Sequence, residues 1–82
     1  MKSMVVFHLK SGSKEQALAL FEERGPNRLP GVSLQGAWIG IHSDVVFVLV
    51  ESPTETAVAQ AAEAWKGHGE FTIHPVIDVE QY

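Results

Sequence analysis

Strand-like and helix-like spacings of apolar residues follow one another along the chain, separated by short polar breaks. Met4 to Leu9 is dense in β-branched and aromatic residues, which suit a pleated, half-buried surface, and predicts a first strand. Ser13 and Gln16 then stand at capping-box spacing, and Ala17, Leu18, Leu20 and Phe21 form an apolar stripe at helical spacing. Arg24, Gly25 and Pro26 supply the stop: a cation suited to a helix C-terminus, a residue free to turn left-handed, and one that cannot continue a helix. Asn27 to Gly31 reads as the connection into a second strand beginning near Val32.

That second strand changes phase. Val32 and Leu34 are apolar at even positions, Ile39 and Ile41 at odd ones, and a β-bulge near Gly36 reconciles them. His42-Ser43-Asp44 interrupts the pattern before six apolar residues, Val45 to Val50, so strands two and three are expected to form a hairpin, with the third strand buried on both faces. Ser52 as cap, Pro53 at the first helical position and Glu55 three residues after the cap predict a second helix. Its apolar stripe is Val58, Ala61, Ala62 and Trp65, and Lys66-Gly67 ends it. Phe71 to Val79 predicts the last strand, followed by a frayed acidic tail to Tyr82.

The order β-α-β-β-α-β fills residues 1–82 as a single domain, without repeat or linker. Two right-handed crossovers joined by a hairpin give an α+β, ferredoxin-like fold: an antiparallel sheet of order 4-1-3-2 with both helices on one face. Alternation then sorts the strands. Val5, Phe7, Leu9, Val46, Val48, Val50, Phe71 and Ile73 share one parity and are expected to face the helices. The other parity carries Met4, Val6, His8, Val45, Phe47, Leu49, Glu51, Thr72, His74 and Val76, a mainly apolar face with a few polar groups. Such a face predicts a homodimer interface that includes Val6, Phe47 and Leu49 and encloses a small cleft.

Composition narrows the partners. A chain of 82 residues supports a modest core, and with no cysteine it has neither disulfides nor thiolate metal ligands, so oligomerisation is the readiest source of further buried area. A net charge of −4 repels phosphate backbones, and the third strand offers only Phe47 for base stacking, so nucleic acid is not an expected partner. No apolar run reaches the roughly 20 residues a bilayer-spanning helix needs, and Met4 to Leu9 is too short for a signal-peptide core. Membrane is therefore not an expected partner, and a cytoplasmic address is expected.

Several segments together resemble a small uncharacterised family, a domain of unknown function within the dimeric α/β-barrel superfamily. They are Lys10-Ser11-Gly12-Ser13 after the first strand, Gly31-Val32-Ser33-Leu34-Gln35-Gly36-Ala37-Trp38, Phe47-Val48-Leu49-Val50-Glu51, and Phe71 with Pro75-Val76-Ile77-Asp78. The resemblance implies a dimer whose two sheets face each other as a barrel. Relatives in the wider superfamily include cofactor-free monooxygenases, haem-degrading enzymes and lactone isomerases. In the family pattern the tryptophan is flanked by an arginine and a histidine, whereas Ala37 and Ile39 stand there in this chain, which removes two polar groups.

Candidate chemistry centres on histidine, the side chain best suited to proton transfer near neutral pH. The topology is expected to gather His8, His42, His68 and His74 at the hairpin end of the sheet, and a cleft there would be lined by His8, Trp38, Thr72 and His74. Trp65 completes the second helix stripe and reads as core. Neither His-x-His nor His-Glu-x-x-His spacing occurs, Lys10-Ser11-Gly12-Ser13-Lys14 lacks P-loop spacing, and no nucleophile stands at recognisable spacing from a base. The expectation is of no metal and no cofactor. Two classes of function survive: a protein that binds or transforms a small, mainly apolar molecule in the barrel cleft, and a structural or regulatory homodimer with a filled barrel.

Overall fold

The computed structural model describes residues 1–25 and 28–82. The elements are β1 (Lys2–Leu9), α1 (Lys14–Arg24), β2 (Ser33–Ile39), β3 (Val45–Glu51), α2 (Glu55–Glu63) and β4 (Gly69–Pro75), with single 3₁₀ turns at Lys66–His68 and Val79–Gln81. The four strands form one antiparallel sheet in the order β2-β3-β1-β4, which is the expected 4-1-3-2 read from the other edge. This is the ferredoxin-like fold.

Parity places the core where expected. Val5, Phe7, Val48 and Val50 are buried with Val58, Ala61, Ala62 and Trp65 from the second helical segment, and Leu9, Val46, Phe71 and Ile73 pack against them. Two residues join this layer without a sequence signal. Leu29, in the connection after α1, is buried, and Ser3 lies wholly buried in the helix-facing row of β1 with its Oγ unpartnered. The second face of β3 stays partly exposed, because no helix reaches it; the expected burial on both faces is not found.

Helix ends depart from expectation in detail. Ser13 is the N-cap of α1, but its side chain makes no capping hydrogen bond. At α2 the cap is Thr54 instead of Ser52: the Thr54 hydroxyl accepts from the Ala57 amide at 3.2 Å, while the Ser52 hydroxyl donates to the Thr54 carbonyl at 2.8 Å. The two hydroxyls thus share the work of the turn, and the helix opens at Glu55. Gly25 ends α1 at φ +55°, a left-handed value that favours glycine. Pro26 and Asn27, expected in the stop and the connection, lie outside the described residues.

The bulge occurs where the phase change requires it. Leu34 pairs with Val50 and Gly36 with Leu49, so Gln35 is the extra residue of β2. The last strand ends at Pro75, earlier than expected, because the Val76 amide donates to the Lys2 carbonyl as pairing runs out at the start of β1. Beyond it, the tail is a 3₁₀ turn whose Glu80 amide donates to the Asp78 carboxylate at 3.0 Å. No helix among the described residues is long and apolar enough to cross a membrane.

Candidate functional site

Residues directly opposite in an antiparallel pair project to the same side of the sheet. The register therefore builds the helix-free face as cross-strand rows. One row runs Trp38, Phe47, Val6, Thr72 and the next Gly36, Leu49, Met4, His74. Towards the hairpin end, Val45, His8 and Glu70 form a third. The bulge at Gln35 turns Trp38 onto this face, beside Phe47. Its ring covers Gly36 so closely that a Cβ at Gly36 would lie 2.6 Å from the ring's outer carbon Cη2. Trp38 is 55% and Phe47 39% exposed, large values for residues of this size.

The four histidines do not gather. His8 stands at the end of β1, near the 42–44 turn and His68, because the Leu9 amide donates to Asp44 and the Lys10 amide to His68. His74 pairs with Met4 at the opposite end of the sheet, four positions along β1 and so roughly 13 Å from His8. β4 runs antiparallel to β1, so the end of one strand meets the start of the other. Of the candidate cleft residues, Thr72 and His74 come together, with Thr72 Oγ1 3.0 Å from His74 Nε2. Trp38 shares a row with Thr72 but stands at the far edge of the sheet, and His8 lies one row away. Among the described residues, no three His, Asp or Glu side chains approach closely enough to hold a metal ion.

A concave apolar space, partly open to solvent, lies on the other side of the sheet. A cavity of about 200 Å³ separates α1 from the β1-β3-β2 half of the sheet. Phe7 and Leu9 of β1, Val46 and Val48 of β3, and Ala37 and Ile39 of β2 form its floor; Ala17, Leu18 and Phe21 of α1 form its roof; Leu29 and Trp65 close one end. Trp38 also borders it, and His8, Thr72 and His74 do not. The void arises because α1 meets the sheet with small or half-buried side chains, Ala17 being the only one of its described residues that is buried. Lys14 holds the start of α1 over the hairpin, its Nζ donating to the Gly40 and Ser43 carbonyls, each at 3.1 Å.

Two arginines lie over the aromatic rings of the end closed by Leu29 and Trp65, although neither lines the cavity. The Phe21 and Trp65 centroids are 6.0 Å apart, and Trp65 Nε1 donates to the Arg28 carbonyl at 2.8 Å, which satisfies the polar atom of the indole. The Arg24 guanidinium sits 4.9 Å from the Trp65 centroid and the Arg28 guanidinium 4.3 Å from that of Phe21. None of this arginine arrangement was read from the sequence. Arg24 had only the role of a helix-end cation, and Arg28 sits in a connection with no periodicity to place it.

A family model for a domain of unknown function, DUF3303, matches residues 1–82, the whole chain. The chain belongs to this family. Solved structures with the same fold include an uncharacterised NIPSNAP domain protein from Burkholderia xenovorans, 13% identical, with a TM-score of 0.58 and coverage of 95% of each chain. A NIPSNAP family protein from Agrobacterium tumefaciens strain C58 is 14% identical at TM-score 0.58, covering 95% of this chain and 93% of that one. A further Agrobacterium tumefaciens protein is 11% identical at TM-score 0.58, covering 95% and 94%. At these identities the likeness establishes the fold alone, the ferredoxin-like α+β arrangement described above. A search of curated proteins finds no match.

Proposed function

We propose that this DUF3303 protein is a homodimer that binds a small, mainly apolar molecule, and that the molecule occupies the cavity beneath α1. The observation that carries the reading is the cavity itself. A concave surface lined by Leu, Ile, Val, Phe, Ala and Trp side chains lets an apolar molecule bury its own surface on entering, which is the usual character of a small-molecule site. At about 200 Å³, the space beneath α1 fits one monocyclic ring with a short substituent. A ligand there adds dispersion contacts with both the sheet and α1, so filling the space stabilises the fold.

The dimer is supported by the opposite face. Trp38, Phe47, Val6 and Leu49 form a continuous apolar band without a helix to cover it, and a second copy of the same band is its simplest complement. Thr72 and His74, already hydrogen-bonded to each other, then bring polar groups into that interface with one bond satisfied. In this reading His8, Thr72 and His74 serve the assembly, and the ligand sits on the far side of the sheet.

The test is a thermal melt with 2-phenylethanol, a neutral ring of suitable size. A ligand that binds only the folded state raises the melting temperature in proportion to its occupancy. Ala37→Leu, which places a larger side chain into the cavity from the edge strand, is expected to remove that response while leaving the unliganded protein folded. A melting temperature indifferent to the probe in the parent protein would refute the site.

A further inference from the structure

We propose that the two copies of the dimer also exchange residues 76–82, each copy seating its Ile77 and Val79 in a shallow depression of the other, at the start of β2. This rests on the dimer reading above and adds a second contact that holds the assembly together. The segment is anchored at its base, where the Val76 amide donates to the Lys2 carbonyl at 3.0 Å, and the Asp78 carboxylate caps the turn that follows. Its apolar side chains nevertheless face outward, Ile77 being 57% and Val79 88% exposed. The depression, open and mainly apolar, is formed by residues 31–34 and 51–53.

Area calls for such a contact. Four strands about 4.8 Å apart and about seven residues long present a footprint of roughly 19 by 23 Å, on the order of 440 Å². A stable interface buries roughly 800 Å² on each partner, so the helix-free face needs a supplement. Register places the segment to supply it. Leu34, Val50, Ser3 and Pro75 stand in one cross-strand row, so residues 76–82 leave β4 level with the depression but at the opposite edge of the sheet.

Shape selects the two-fold axis. On the helix-free face the β2 edge carries Trp38, its ring spread over Gly36, whereas the β4 edge carries Thr72 and His74. An axis across the strands stacks bulky edge on bulky edge and wedges the sheets apart on that side. An axis parallel to the strands lays each Trp38 over the slimmer β4 edge of the other copy and keeps the sheets evenly spaced. Packed sheets are about 10 Å apart, so the other copy's β4 then ends about 10 Å above Leu34, a gap that roughly three extended residues cross. Ile77 to Val79 are the residues that arrive. The chain's own segment starts farther off, three strand spacings or about 14 Å across the sheet.

The chain has no cysteine, so single cysteines can report the crossing. Ser33→Cys protein mixed with Ile77→Cys protein and oxidised is expected to give a disulfide-linked pair on a non-reducing gel, with neither variant linking alone. An Ile77→Ser, Val79→Ser variant, altered only at exposed positions, should dimerise about tenfold more weakly in sedimentation. A dimer in which Ile77→Cys links to Glu70→Cys instead, as the axis across the strands requires, would overturn the exchange and leave the dimer reading intact. So would a dissociation constant unchanged by the two serines. A parent protein that sediments as a monomer would overturn the dimer reading, and this inference with it.

Discussion

Gly69 opens β4 with its Cα pressed against the end of β1. A Cβ built there meets the His8 carbonyl oxygen and lies 2.8 Å from the Leu9 Cα, both of them backbone atoms that cannot rotate away. Gly69→Ala is therefore expected to force the β1-β4 pair apart and destabilise the fold by about 1–3 kcal/mol, measured by urea unfolding. Gly36 is the contrasting case, since what its Cβ would meet is the outer edge of the Trp38 ring. At this scale the sequence is weakest. The phase change in β2 announces a bulge, but the facing of Trp38 depends on which residue is the extra one, and only the pairing of Leu34 and Gly36 identifies Gln35.

Elements were more legible than their ends. Period-two and helical spacings located every strand and both helices, because burial on one face imposes those periods directly. Caps are another matter: Ser52, Pro53, Thr54 and Glu55 contain two possible caps, and the choice between them is made by hydrogen bonds. Since the Thr54 hydroxyl is the one that accepts from Ala57, Thr54→Ala should cost about 1 kcal/mol. Ser13→Ala, which removes a hydroxyl with no capping bond, should stay within about 0.5 kcal/mol. Equal losses from the two in chemical denaturation would contradict this assignment of caps. The cavity could not be read at this level, since its lining is built from the same stripe and strand residues that otherwise signal core. How far α1 stands off the sheet is set by the three-dimensional fit of Ala17, Leu18 and Phe21, and periodicity carries no trace of it.

The two sides of the sheet divide the work of the whole molecule. On the outer side, the apolar band around Phe47 is proposed to hold two copies together, and Phe47→Asp places a charge at its centre opposite Val6 and Trp38. Sedimentation velocity should show the parent as a dimer and the variant as monomer or aggregate; an unchanged dimer would move the interface elsewhere. On the inner side, the space beneath α1 is proposed to hold the ligand. Of the histidines marked by the sequence, His8 stays near the 42–44 turn and His68, while the antiparallel run of β4 carries His74 to the opposite end. The most direct measurement is a crystal of the protein pressurised with xenon, an atom that settles into dry apolar voids of this size. Xenon density between Phe7, Leu18, Phe21 and Ile39 is the expected result; density confined to the Trp38-Phe47 face, with the space beneath α1 closed or filled with water, would contradict the assignment of the binding site.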